Sequence, residues 1–285
     1  MHSAGERKAK QRDGRCLGAA LLGTLLGLAG SLAHADATWE RIQDRQTLTV
    51  GVLLSGGPFG SLDPQTREPR GFNVDLAKEL ASRLGVKPDL VAVLPANRVQ
   101  FLQQGKVDIL IANMEWTEQR GQLLGHVPTP FYTVGGTAAL PPGSAIQRWE
   151  DLKGQPVCTS QGSSYVAPLA AYGAELKAFK SSSESLLALR GGNCVAAVHD
   201  ATLINPLLAS NSEWQGYRAL QPELNPAPSV IWTRPGEGDT QAKLDAIVRD
   251  WHRSGWLIQT EARNAITPAS KTLVELHDQA LAGTR

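Results

Sequence analysis

The sequence predicts an α/β fold in two lobes, and three observations predict it. Short β-rich apolar runs alternate with stretches of helical periodicity, the alternation restarts after Pro141-Pro142-Gly143, and two segments, 133–140 and 229–234, read as crossovers joining two units. The length fits, since 285 residues hold one large domain or two ordinary ones, each able to bury a core.

The first unit opens with the β-rich run 48–54, closed by Ser55-Gly56-Gly57-Pro58. From Phe72 the apolar positions Leu76, Ala77, Leu80, Ala81 and Leu84 recur at helical spacing, and Gly85 is a natural C-terminal stop. A strand at 89–94, a short helix at 98–104 and a buried strand at 108–112 follow. Thr117 reads as the N-cap of a helix running to Leu124. In the second unit the pattern predicts a helical turn at Trp149–Leu152, a strand at Pro156–Ser160 and a helix at 166–176. A strand at 178–180, a helix at 184–191 and a strand at 194–198 complete it. The last third adds a strand at 230–233 and an amphipathic helix through Leu244, Ile247, Val248 and Trp251.

The N-terminus reads as a secretory signal peptide rather than as part of the fold. Arg7, Lys8, Lys10, Arg12 and Arg15 precede an uncharged run from Leu17, which is broken by four glycines and closes on Ala33-His34-Ala35. Cleavage after Ala35 is expected, placing the mature chain in the periplasm. It removes Cys16 and takes the net charge from +1 to −2. With no basic field, nucleic acid is not an expected partner. The remaining Cys158 and Cys194 lie on strands predicted to be neighbours in one sheet, and in an oxidising compartment they are expected to form a disulfide.

Searches for catalytic motifs find little. His126, His199, His252 and His277 have no metal-ligand spacing, and the chain lacks G-x-S-x-G, G-x-x-x-x-G-K-[ST] and a G-x-G-x-x-G that opens a helix after a strand. No cofactor and no metal are expected. Gly162-Ser163-Ser164, just after a strand, is a weak anion-cradle signal. What stands out are polar residues at the C-terminal ends of strands, where open α/β sheets bind ligands. Arg120 can grip a carboxylate in a bidentate fork, its bland alternative being a solvated helix arginine. Asp200 can take an ammonium, its bland alternative being an N-cap for a helix from Ala201. Together at matching strand ends of two lobes, they describe a cleft that clamps a zwitterion.

Over nearly all of the chain after Ala35 the sequence resembles the periplasmic polar amino-acid solute-binding proteins of ABC transporters. The resemblance rests on Leu48-Thr-Val-Gly-Val52, Pro58-Phe59-Gly60, Gly71-Phe-Asn-Val-Asp-Leu-Ala77, Asn97-Arg98, Gly105-Lys-Val-Asp108, Ile111-Ala-Asn-Met114, Thr117-Glu-Gln-Arg120, Asp151-Leu-Lys-Gly154, Gln161-Gly-Ser-Ser164 and His199-Asp200, in that order and spacing. It implies a monomeric two-lobed clamp, each lobe a mainly parallel sheet flanked by helices, with 36–136 and 232–285 forming one lobe and 137–231 the other. The partners it implies are a free amino acid and the membrane permease subunits of the transporter.

By the same resemblance Arg120 holds the ligand α-carboxylate with Asn113 and Thr117 nearby, Asp200 holds the α-ammonium, and the loop bearing Ser163 and Ser164 adds backbone donors. Asn97-Arg98 resembles the pair in relatives that take acidic amino acids, which leans the ligand toward glutamate or aspartate, but similar pairs also occur in cysteine-binding relatives, and a Glu115 that paired with Arg98 would instead suit a neutral polar ligand such as glutamine or cysteine. The chain departs from the family at Glu115, where relatives carry a small residue or threonine, and at Leu53, Pro95 and Ala96, which replace ligand-sandwiching aromatics. Phe59 or Trp116 is the candidate substitute. The fold also resembles periplasmic cyclohexadienyl or arogenate dehydratases, so an enzyme is the alternative. Their acid lies shortly after the aspartate matching Asp200, whereas Ala201, Thr202 and Leu203 stand here.

Overall fold

The computed structural model describes residues 36–54, 57–210, 212–266 and 269–282. The expected signal peptide, residues 1–35, lies outside them. The described chain begins with α1 (Ala37–Arg45), β1 (Thr47–Leu53), the paired strands β2 (Ser61–Leu62) and β3 (Pro69–Arg70), α2 (Phe72–Arg83), β4 (Lys87–Val93), α3 (Arg98–Gln103), β5 (Ile109–Ile111), α4 (Glu118–Leu123) and β6 (Gly125–His126). It continues with β7 (Tyr132–Leu140), β8 (Pro156–Ser160), α5 (Val166–Ala171), β9 (Glu175–Phe179), α6 (Ser182–Arg190), β10 (Ala196–Asp200), α7 (Ala201–Ser210), β11 (Arg218–Ala219) and β12 (Leu224–Ser229). It returns through β13 (Trp232–Thr233) to α8 (Gly238–Ser254), α9 (Trp256–Arg263) and α10 (Lys271–Ala282).

Two sheets result. The first has the order β4-β1-β5-β13-β6 and the second β11-β7-β10-β8-β9, with β12 also paired to β7. Strands joined through helices are parallel: β4 and β5 to β1, and β9 and β10 to β8. β7, β11, β12 and β13 make antiparallel pairs. The mainly parallel sheets expected from the alternation are therefore mixed, because the strands that carry the chain between sheets run against their neighbours.

Both sheets are covered on both faces, which explains why their central strands read as apolar runs rather than as alternation. On β5, Ile109 and Ile111 join one core with Leu48, Val50, Leu76 and Trp251, while Leu110 joins a second with Val93, Leu102 and Trp232. On β10, Ala196 and Val198 face one core and Ala197 the other. Asp36 starts the described chain by accepting from Trp39 N at 2.9 Å as the N-cap of α1 and from Thr240 N at 2.8 Å, which ties α1 to the first turn of α8.

Boundaries move for local reasons. The helix expected over 166–176 stops at Ala171, because Gly173 takes φ +78°, and Glu175–Phe179 then pairs residue by residue with β8. β12 escapes a periodicity reading because Pro226 and Pro228 interrupt it, a placement tolerated because it pairs with a full strand only along β7, its other edge meeting just the segment at Glu115 and Trp116. The chain passes between sheets at 127–131 and again at 230–231; the first crossover, expected over 133–140, comes earlier because those residues already pair in the second sheet as β7. The passages are tied together, Val127 N donating to Ile231 O at 2.8 Å and Phe131 N to Ser229 O at the end of β12 at 3.0 Å.

Cys158 on β8 and Cys194, two residues ahead of β10, form the expected disulfide, with a Cα–Cα distance of 5.8 Å and 36 residues of separation. Closing a loop of that length stabilises by roughly 4 kcal/mol on the chain-entropy account. The Cys158→Ala/Cys194→Ala double variant should therefore unfold at a markedly lower urea midpoint than the oxidised protein, and an unchanged midpoint would contradict that estimate.

Candidate functional site

The C-terminal ends of β1, β4, β5, β8 and β10 converge, as expected for ligand sites in open α/β sheets. They line a cavity with Leu53, Phe59, Pro95, Arg98, Asn113 and Glu115 from the first sheet's side and Ser160, Ser163, Ser164, Tyr165, His199 and Asp200 from the second's. The cavity encloses about 40 Å³ open to a water-sized molecule, room for about three waters.

Arg98, at the start of α3, is buried. Its Nη1 donates to the carbonyls of Ala112 and Asn113 at 2.5 and 2.6 Å, and its Nη2 to the Gly162 carbonyl at 3.2 Å. Arg120, on α4, reaches the same Gly162 carbonyl with Nη2 at 2.9 Å, while its Nη1 donates to the Glu115 carbonyl at 2.6 Å and meets Glu115 Oε2 at 3.4 Å. Gly162 can offer its carbonyl this way because it sits at φ +72°, and a Cβ there would lie 2.8 Å from Pro95 O. Burial, and after it the charge of Arg120, lower the Arg98 pKa to about 10.

The acidic partners are arranged around the same turn. Glu115 Oε2 accepts from Ser164 Oγ at 2.7 Å, across from the first sheet to the second. Glu115 Oε1 is buried and has no hydrogen-bond donor among the described residues. Asp200 ends β10, its Oδ1 accepting from Tyr165 OH at 2.8 Å and its Oδ2 from Asn113 Nδ2 at 3.1 Å. Burial, then repulsion from Glu115, push its carboxyl up to about 7, against the two hydrogen bonds and Arg98.

Asn113 occupies the left-handed region at φ 45°, which asparagine tolerates, and its Oδ1 accepts from Asn73 Nδ2. His199 points to α6, sharing a hydrogen bond between its Nε2 and Ser185 Oγ at 2.8 Å, and burial lowers its pKa to about 4, so it is neutral at physiological pH. Among the described residues no group of three or more His, Cys, Asp or Glu side chains is placed to hold a metal ion.

Of the residues singled out from sequence, the fold gathers Arg98, Asn113, Glu115, Ser163, Ser164, Phe59, His199 and Asp200 around one cavity. Arg120 and Thr117 lie outside its lining: Thr117 is the N-cap of α4, accepting from Arg120 N at 3.3 Å. Phe59 forms a wall through its packing on Phe72 and Tyr132, both at 5.1 Å, whereas Trp116 turns away toward His126. Asn97 faces its own loop, accepting from Leu94 N at 2.8 Å. Sequence reading missed Tyr165, Ser160, Thr202 and Asn73. Tyr165 directly follows the Gly162-Ser163-Ser164 turn, but its partner Asp200 is 35 residues away, so local pattern carries no sign of the pair. Gly136 makes room for it, since a Cβ there would lie 2.8 Å from the Tyr165 ring.

Residues 48–265 match the family of bacterial extracellular solute-binding proteins, family 3. A glutamine-binding protein of Geobacillus stearothermophilus is 30% identical over 59% of this chain and 66% of its own length, so this chain spans about two thirds of that relative. An L-glutamate/L-aspartate-binding protein of Pseudomonas aeruginosa is 28% identical over 66% of each chain. Among solved structures, a mutant of ArgBP from T. maritima superposes with a TM-score of 0.74 at 25% identity, covering 79% of this chain and 98% of that one.

The raised Asp200 pKa has a signed consequence. Between pH of about 4 and about 7 the folded chain holds a proton at Asp200 that the unfolded chain releases, so this group's contribution to stability falls as pH rises through that window. His199, lowered to about 4, acts in the opposite sense between about 4 and 6.5. Comparison of Asp200→Asn with the parent isolates the first effect: the variant should gain more in urea midpoint at pH 7.5 than at pH 5. An equal difference at both pH values would contradict the shift.

Proposed function

Because the chain belongs to the bacterial extracellular solute-binding proteins of family 3, we propose that it captures a free amino acid between its two lobes and delivers it to the permease of an ABC importer from the periplasm. The observation that carries this reading is the cavity itself, which gathers buried groups of both signs at the strand ends of two sheets, the arrangement a zwitterion needs. Its volume is far below the roughly 300 Å³ at which small-molecule clefts begin, so the lobes part to admit a ligand. In this reading the hinge lies at the passages 127–131 and 230–231, which are bonded to each other, with 36–126 and 232–282 moving as one lobe and the segment holding β7 to β12, 132–229, as the other.

In this reading Asp200 takes the α-ammonium, which would also hold its carboxyl ionised, and Arg120 takes the α-carboxylate. Arg120's hydrogens rest on two neutral carbonyls and on one 3.4 Å contact with Glu115, so most of its charge is uncompensated and available to an incoming anion when the lobes separate. Asn113, Thr117 and the Ser163-Ser164 turn complete the frame. The acidic ligand suggested by Asn97-Arg98 depends on Arg98 reaching the ligand side chain. Arg98 instead meets three carbonyls, and Asn97 stays in its loop.

A dehydratase on the same fold is the alternative. Nothing at Ala201, Thr202 or Leu203 can protonate a leaving hydroxyl, which favours the binder.

Isothermal calorimetry with the proteinogenic amino acids tests the reading. At least one should bind, and Asp200→Asn and Arg120→Ala should each weaken it tenfold or more, since charge-assisted hydrogen bonds contribute roughly 1.5–3 kcal/mol and tenfold is about 1.4 kcal/mol. Phenylpyruvate release from prephenate, with no amino-acid binding, would establish the enzyme instead.

A further inference from the structure

The described residues leave little buried polar capacity unmet at the cavity. Arg98 has carbonyl partners on both Nη atoms, Asp200 is bonded through both carboxylate oxygens, and Glu115 Oε2 is held by Ser164. Glu115 Oε1 is the exception among the ionisable side chains lining the cavity. Glu115 is 2% exposed, and this oxygen has no donor among the described residues. The cavity-lining Ser160 Oγ and Thr202 Oγ1 are buried without partners too. A hydroxyl can donate or accept, whereas an ionised carboxylate oxygen accepts only, so Glu115 sets the direction of the missing hydrogen bond.

The charges point the same way. Arg98 and Arg120 stand beside Glu115 and Asp200, two cations and two acidic groups, the second of which a ligand ammonium would hold ionised. A zwitterionic backbone leaves that balance unchanged, while a ligand side-chain carboxylate would add a third anion beside Glu115, with Arg98 already occupied by carbonyls. Discrimination of this kind comes from the repulsive element as much as from the attractive one.

Resting on the amino-acid reading above, we propose that Glu115 is the specificity-determining residue of the cleft and selects amino acids whose side chain ends in an N–H donor, a carboxamide or a cation, against those ending in a carboxylate. The donor reaches Glu115 Oε1 while Ser164 holds Oε2, so the turn at 162–164 also fixes where the acceptor stands. Arg98 then serves to join the lobes through Gly162 rather than to read the side chain.

Calorimetry with glutamine, arginine and glutamate on the parent protein and on Glu115→Gln tests this. The parent should bind glutamine or arginine at least tenfold more tightly than glutamate, and the arm that binds identifies the amide or the cation. In Glu115→Gln the preference over glutamate should shrink at least tenfold, by gain of glutamate affinity, by loss of arginine affinity, or by both. Equal or tighter binding of glutamate by the parent would overturn the proposal without any variant, which keeps the test decisive if Glu115→Gln does not fold. A parental preference that Glu115→Gln leaves intact would overturn it as well, with amino-acid capture still standing. Failure of every proteinogenic amino acid to bind would remove amino-acid capture itself, a result distinct from either.

Discussion

The site depends on one carbonyl oxygen. Gly162 O receives Arg98 from α3 and Arg120 from α4, both on the first sheet's side, and it belongs to the turn that follows β8 of the second. Two guanidinium groups brought together repel, and burial and the charge of Arg120 lower the Arg98 pKa, so carbonyl dipoles and the acidic groups of Glu115 and Asp200 are what hold that charge in place. The positive φ of Gly162 is what aims that oxygen, and Pro95 O stands where a side chain would be.

From this contact the rest of the cleft follows. Closing the turn against the two arginines places Ser164 on Glu115 and Tyr165 on Asp200, and Asn113 spans back from the first sheet to Asp200. Each of these is a hydrogen bond to an acidic side chain; those from Ser164 and Asn113 cross between the two sheets' sides, while that from Tyr165 joins the ends of the paired strands β8 and β10. The contacts across the cavity are made by side chains and loop carbonyls at strand ends rather than by the packed cores behind them. Three of the cores lie on the faces of a single sheet, whereas the largest also takes in Tyr132 and Val134 from the start of β7.

The titratable groups at the cavity differ in how firmly they are held in one protonation state. His199, the one histidine at the cavity, is held neutral against Ser185, and Tyr165 is raised above its usual range by burial and by Asp200, so neither trades protons readily near neutral pH. Asp200 is the exception, its carboxyl pushed up to about 7 by burial and by Glu115.

The sequence by itself determined the alternation of strands and helices over 48–124 and 149–198. Thr117 as a cap, Gly85 as a stop, the apolar run ending at Ala112 and the restart after Pro141-Pro142-Gly143 are signals that act over a few residues, and the folded chain obeys them because backbone hydrogen bonding and helical periodicity are local constraints. It also marked the cavity, since side chains at the ends of parallel strands have nowhere else to converge. Tertiary structure alone decided what those side chains touch. Arg98 and Gly162 are 64 residues apart, Glu115 and Ser164 are 49 apart, and Asn113 and Asp200 are 87 apart. An arginine's reach exceeds the spacing between alternative acceptors, so its partner depends on which carbonyls two separately folded sheets bring within range. For the same reason Arg120, legible as a charge at a strand end, came to rest on carbonyls, and Glu115, legible as a departure, became the acceptor that the cleft leaves open.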